Sequence, residues 1–167
     1  MDLKEKVVVR EALSKQEIGE VRMLFKKYVD TFSHMPDFKT NIELQGFKHE
    51  VDSLPGVYAR PSGRLLLATI NGKACGCVAL KALSAKDAEI KRLFVLDSHR
   101  GRGIGKALVK EIIDMAKAIG YQKAVLDTLP EMEGAIRLYH AFGFRKTAPF
   151  HPEETQRTIF MELTLDR

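Results

Sequence analysis

The chain has no apolar run near the roughly 18 residues that a membrane-spanning helix requires, so a bilayer span is not expected. Its first residues, Met1-Asp2-Leu3-Lys4-Glu5-Lys6, carry charge where a secretory leader would carry an apolar stretch, and a cytoplasmic protein is expected. Cysteine is scarce. Cys75 and Cys77 stand two apart in a strand-like run, which predicts that they share one face; that spacing suits neither a disulfide nor a metal site, so reduced core thiols are expected. His34, His49, His99, His140 and His151 show no i, i+4 pairing with a third ligand nearby, and no metal site is expected. Repeats, low-complexity segments and linkers are absent as well. The 167 residues, 45% of them hydrophobic, therefore read as one domain over 1–167, long enough to bury about two thirds of the surface its unfolded chain exposes. The net charge is +5 and the pI about 9.2. Lys and Arg are nevertheless dispersed and not gathered in an aromatic-interleaved patch, which argues against nucleic acid and for a solvated surface with local attraction for anions.

What the chain does contain is concentrated at residues 100–105, Arg-Gly-Arg-Gly-Ile-Gly, between a β-branched and aromatic run at 90–95 and an amphipathic helical pattern. Closely spaced glycines let the backbone turn tightly and approach a ligand, and a following helix directs free N–H groups and the positive end of its dipole at an anion. The spacing narrows the ligand. A P-loop needs Lys followed by Ser or Thr, whereas Gly105 is followed by Lys106 and Ala107. A dinucleotide fingerprint needs G-x-G-x-x-G, and Gly101, Gly103 and Gly105 have the wrong interval.

Elsewhere, residues 7–10 predict a strand. Ser14-Lys15-Gln16-Glu17 is a capping box for a helix over 15–30, with a stripe of Ile18, Val21, Phe25, Tyr28 and Val29. A second, shorter helix is expected over 41–53, ended by Pro55-Gly56. Asn71-Gly72 between apolar runs at 65–70 and 74–81 predicts a hairpin, and 88–95 the strand before the loop. The helix after the loop has Ile104, Leu108, Ile112, Met115 and Ile119 on one face and ends at Gly120. A strand is expected over 123–128, then a helix with Pro130 in its first turn and Gly143 at its end, and a last strand over 158–165.

Arg-x-x-Gly-x-Gly across residues 100–105 resembles the coenzyme A pyrophosphate loop of the GNAT family of N-acetyltransferases. The resemblance extends to a second signature, A-I-x-L-Y-x-x-x-G-F, which residues 135–144 fill without a gap, at the family's distance and in its order. Glu-x-Lys-Arg-Leu before the loop and Leu-Asp-Thr-Leu-Pro after the long helix resemble a bacterial sub-group. The resemblance implies an α/β fold of order β-α-α-β-β-β-α-β-α-β-β, a single mixed, mainly antiparallel sheet flanked by helices. It implies an acetyl-CoA-dependent N-acetyltransferase working by direct transfer, and a primary amine of a small molecule is the expected acceptor. A protein lysine or N-terminus is the alternative acceptor, and a non-catalytic acyl-CoA-binding module the alternative of another class. A homodimer is left open.

The chemistry assigns roles to residues on the strength of that resemblance. The pyrophosphate falls to the backbone amides of Arg100, Gly101, Arg102, Gly103, Ile104, Gly105, Lys106 and Ala107, with the side chains of Arg100, Arg102 and Lys106 adding charge. Leu93, Phe94 and Val95 form the strand whose backbone would pair with the pantetheine arm, the Leu93 amide serving as oxyanion donor. Tyr139 stands where the family keeps a proton donor for the departing thiolate. Glu89, eleven positions before Arg100, matches the base of the histone-type branch, with burial expected to raise its pKa. A strand-edge ion pair is the competing role for Glu89, and core packing that for Tyr139. Members often carry Asn where this chain has Met132, so a contact to the arm must be replaced, with Asp127 and Thr128 nearby. Glu50, Tyr58 and His151 are the candidates for the acceptor wall.

Overall fold

The computed structural model describes residues 5–166. Seven strands form one sheet in the order β1-β2-β3-β4-β5-β7-β6, with β1 at Val7–Glu11, β2 at Arg64–Ile70, β3 at Lys73–Ala82, β4 at Asp87–Val95, β5 at Lys123–Thr128, β6 at Arg145–Lys146 and β7 at Ile159–Thr164. Every pairing is antiparallel except that of β4 with β5. The helices are α1 (Lys15–Phe32), α2 (Pro36–Leu44), α3 (Phe47–Asp52), α4 (Ile104–Ile119) and α5 (Glu133–Ala141). Among the described residues no helix is long and apolar enough to cross a membrane.

Local chemistry explains most of these elements. The capping box forms as the spacing predicts: Glu17 N donates to Ser14 Oγ at 3.1 Å and Ser14 N to Glu17 Oε1 at 3.1 Å. Asn71 and Gly72 both take positive φ, 51° and 76°, the type I′ geometry that a two-residue hairpin demands. Alternation then divides the sheet between two cores. Val78, Leu80, Ala88 and Ile90 pack with Leu108, Val109 and Ile112 of α4 and with Tyr139 of α5, while Leu65, Leu67, Cys77 and Ala79 pack with Val21, Leu24 and Phe25 of α1.

Three expectations fail for identifiable reasons. Cys75 and Cys77 lie in opposite cores, because Ala68 pairs with Gly76 and Thr69 with Ala74, leaving Cys75 as an extra residue that reverses the alternation. Both are free and buried. The helix expected over 41–53 is two helices, broken where Gly46 adopts φ 70°. Pro130 lies ahead of α5, which starts only at Glu133 with Met132 as its N-cap.

A second irregularity shapes the site. On β3 Cys77 and Ala79 are two residues apart, yet their partners on β4, Phe94 and Lys91, are three apart, and Arg92 between them takes φ 61°. The bulge bends β4. β4 and β5 pair only over Asp87–Glu89 against Lys123–Val125, and beyond that point they diverge.

Candidate active site

The divergence opens a cleft of about 370 Å³. One wall is Leu93, Phe94 and Val95 of β4, whose strand edge has lost its parallel partner; the other is Asp127 and Thr128 of β5 with Met132, Leu138 and Tyr139. Tyr28 and Phe32 of α1 close the side, and Arg100, Gly101, Gly103, Ile104 and Gly105 close the end. A strand edge without a partner offers alternating N–H and C=O groups to an extended ligand.

At the loop end, Gly101 and Gly103 have φ 77° and 78°, and Gly103 is the N-cap of α4 with no side-chain cap. The first free intrahelical donors of α4, the amides of Ile104, Gly105 and Lys106, therefore lack helical acceptors, whereas Ala107 N already donates to Gly103 O at 3.1 Å. A Cβ built on Gly103 meets nothing within 4 Å, so the space over the loop is open for an anion. The charges are arranged less directly than the sequence suggests. Arg100 pairs with Asp97 at 3.0 Å and lies over the Phe32 ring; Arg102 pairs with Glu5 at 2.7 Å, away from the cleft. Lys106 is exposed. The loop's fixed partial charges come from amides, with the cations behind them.

Tyr139 lines the cleft at 6% exposure, its ring packed edge-on to Phe144 at 5.8 Å. Burial pushes its phenol well above the ordinary value, so it stays protonated. Tyr28, taken from the sequence only as part of a helical stripe, faces the same cleft, and burial raises it to about 12 against the opposing charge of Arg92.

Behind the β4 wall lies a polar cluster. Glu89 has no exposed surface and is no part of the cleft wall. Its Oε2 accepts from His151 Nε2 at 3.0 Å and from Lys91 Nζ at 3.4 Å, and Lys81 stands 3.9 Å from its Oε1. Burial alone would raise its pKa, but the His151 hydrogen bond and the Lys91 charge outweigh it and hold the carboxyl below the ordinary value. The expectation of a raised pKa is thus corrected: the burial is there, and so are its counter-charges. His151 is shifted up, first by its hydrogen bond to Glu89.

Glu50 forms a two-point ion pair with Arg92, each contact 2.8 Å, so its carboxylate is committed to the strand bulge. Tyr58 is 2% exposed, packed edge-on to Phe25 in the α1 core, and lines neither the cleft nor the cavity beside it. None of the three thus lines the cleft or the small cavity: Glu50 is held by Arg92, His151 by Glu89, and Tyr58 lies in the core. Residues without a motif complete the cluster. Gln45, at the end of α2, accepts through Oε1 from Lys91 Nζ at 3.1 Å and Arg92 NH1 at 2.8 Å, and donates through Nε2 to Glu154 Oε1 at 2.6 Å and Asp127 Oδ2 at 3.3 Å. Asn41 pins the loop that carries His151 and Glu154, donating to Thr158 Oγ1 at 2.8 Å and accepting from Thr155 N at 3.1 Å. Among the described residues no three His, Cys, Asp or Glu side chains group as a metal site.

Residues 22–144 match the acetyltransferase (GNAT) family. An uncharacterised N-acetyltransferase of Schizosaccharomyces pombe is 32% identical over 154 residues, covering 91% of each chain. One from Bacillus subtilis is 36% identical over 89 residues, 52% of this chain and 59% of that one. Among solved structures, a GNAT acetyltransferase of Staphylococcus aureus superposes with TM-score 0.77 at 18% identity, covering 96% of this chain and 100% of that one. One from Elizabethkingia anophelis with acetyl-CoA bound is 31% identical, with TM-score 0.55 over 62% of this chain and 77% of that one.

Proposed function

Since the chain belongs to the GNAT acetyltransferase family and its activity is acetyl-CoA-dependent acetyl transfer, we propose that it acetylates a primary amine of a small molecule by direct transfer in a ternary complex. The observation that carries the small-molecule reading is how little room lies beside the cleft. The cavity beside the cleft is only about 40 Å³, walled by Phe38, Asn41, Ile42 and Gln45 of the α2 region and by Leu129 and Thr158. Two of its walls are tied together, Asn41 donating to Thr158 Oγ1 and accepting from Thr155 N. A cramped recess of this kind suits a compact amine better than an extended protein tail.

Acetyl-CoA supplies the activated acetyl group as a thioester. The amides at the α4 N-terminus cradle its pyrophosphate, and the free β4 edge at 93–95 aligns its pantetheine arm. The Leu93 amide faces the developing oxyanion, and the neutral Tyr139 phenol protonates the leaving sulfur. Glu89, enclosed and ion-paired, holds His151 in place through the hydrogen bond to its Oε2.

Thiol release from acetyl-CoA across a panel of small primary amines, with mass detection of the product, tests this directly. Turnover of compact amines at rates well above those of lysine peptides is expected. Release driven only by peptides would replace the acceptor class, and no release with any amine while coenzyme A still binds would reduce the protein to a binding module.

A further inference from the structure

We propose that Asp127 and Glu154 work as one carboxyl pair sharing a single proton, and that Asp127 receives the proton of the acceptor's ammonium group while Glu154 and Gln45 hold it in place. The inference rests on the reading of the site as an amine acetyltransferase.

Three observations converge on the pair. Asp127 lines both the cofactor cleft, beside Leu93 and Tyr139, and the small cavity behind it, so it stands where an acceptor and the thioester would meet. Gln45 is locked in one orientation, because its oxygen faces two cations, Lys91 and Arg92; its amide nitrogen must then face two carboxyls, Glu154 at 2.6 Å and Asp127 at 3.3 Å. Glu154 is 7% exposed, and its Oε2 is enclosed with no partner as a carboxylate oxygen. An ionised oxygen left so is costly. The arrangement closes if that oxygen carries a hydrogen and gives it to Asp127.

The electrostatics agree. Burial raises Glu154 to about 9, helped by the hydrogen bond to Asp127 and by its charge. Asp127 is held below its ordinary value: burial opposes this, but Lys91, the Glu154 hydrogen bond, Arg92 and His151 prevail. Tyr28 of α1, Tyr139 of α5 and Glu89 of β4 are the other titratable groups that sense Asp127. Together the two carboxyls hold one proton up to the alkaline range; the reactive form is the fully ionised pair, left when that resting proton goes to solvent, and it is a base whose strength approaches that of an alkylamine. Glu89 cannot serve as well, since it has no exposed surface and its Oε2 already faces His151 and Lys91.

The step balances. The pair first gives its resting proton to solvent; the N–H bond of the ammonium then breaks and its proton passes to Asp127, and the freed lone pair forms the N–C bond to the thioester carbonyl, whose π electrons move to the oxygen facing the Leu93 amide. On collapse the C–S bond breaks and the thiolate takes the Tyr139 proton. The nitrogen's second proton restores Tyr139, and the first stays as the proton that Asp127 and Glu154 share, which returns the pair to its resting state.

The test uses the full chain, with n-butylamine as acceptor probe. Carbon-13 titration of the side-chain carboxyls, which needs no acceptor, should show one group titrating near pH 9 that vanishes in Glu154→Gln and falls by more than one pH unit in Asp127→Asn. No carboxyl titrating above pH 7 overturns the pair. In the acetylation assay, Asp127→Asn should lose on the order of 10²-fold in kcat/KM near neutrality with coenzyme A affinity unchanged. Glu154→Gln, which keeps the hydrogen bond but not the shared proton, should lose roughly tenfold and recover as pH rises; it also keeps the test open if Asp127→Asn folds poorly. Wild-type rate and pH profile in both variants would overturn the proton transfer. A wild type that leaves n-butylamine untouched while the high carboxyl titration persists supports the pair and counts only against the small-amine reading.

Discussion

Glu89 Oε2 lies 3.0 Å from His151 Nε2, so a strand carboxylate without exposed surface is paired with an imidazole 62 residues away. The contact moves the two groups in opposite directions, Glu89 below its ordinary 4.5 and His151 above its ordinary 6.5. Glu89 therefore adds stability that is complete above 4.5 and is lost as pH falls through its lowered folded value. His151 adds stability that is complete below 6.5 and is lost as pH rises through its raised folded value. Both contributions are fully present only between 4.5 and 6.5. In Glu89→Gln the His151 titration followed by NMR should return toward 6.5, and the stability maximum in that window should flatten. An imidazole that titrates identically in wild type and variant would show that the contact does not form in solution.

The loop glycine can be tested against an internal control. Gly103 and Gly72 have nearly the same φ, 78° and 76°, and a Cβ on either meets nothing within 4 Å. Replacing either by Val imposes the same kind of backbone strain, about 1–3 kcal/mol for a side chain held in that region. Only Gly103 faces the cleft. Comparable losses of thermal stability are expected in both variants, with coenzyme A binding lost in calorimetry for Gly103→Val alone. Retained affinity in a folded Gly103→Val protein would remove the loop from the binding site.

What could be read ahead of the structure was whatever a local pattern encodes. The hairpin at Asn71-Gly72, the glycine loop entering α4 and the run from Ala135 to Phe144 each state their geometry in a few consecutive residues. The breaks were hidden. Nothing at Cys75 or Arg92 announces an extra strand residue, because a bulge is set by the register of the partner strand. Gly46 reads as one more helix residue until its φ of 70° is known. The carboxyl pair was hidden most deeply: Gln45, Asp127 and Glu154 come from the end of α2, β5 and the last loop, with Gln45 and Glu154 109 positions apart. No spacing rule links them. Chain topology brings them together, and Asn41 holds the loop in place.

Tyr139 carries the prediction that most directly separates chemistry from packing. Its ring contributes to the α4 core and stacks edge-on against Phe144, so Tyr139→Phe keeps the apolar contacts and deletes only the hydroxyl. Because burial keeps the phenol protonated far into the alkaline range, the wild-type rate should show no falling limb from this group at ordinary assay pH. The variant should lose on the order of 10² to 10⁴ in kcat while coenzyme A affinity stays the same, the pattern of a group that acts in the transition state and not in binding. Tyr28→Phe is the comparison. That phenol faces the same cleft from α1 but beside Arg92 and Asp127, where it also lines the small cavity; on the proposed reading its removal should raise the acceptor KM and leave kcat nearly unchanged. Equal losses of kcat in the two variants, or none in Tyr139→Phe, would return Tyr139 to the role of a core aromatic and leave protonation of the thiolate to solvent.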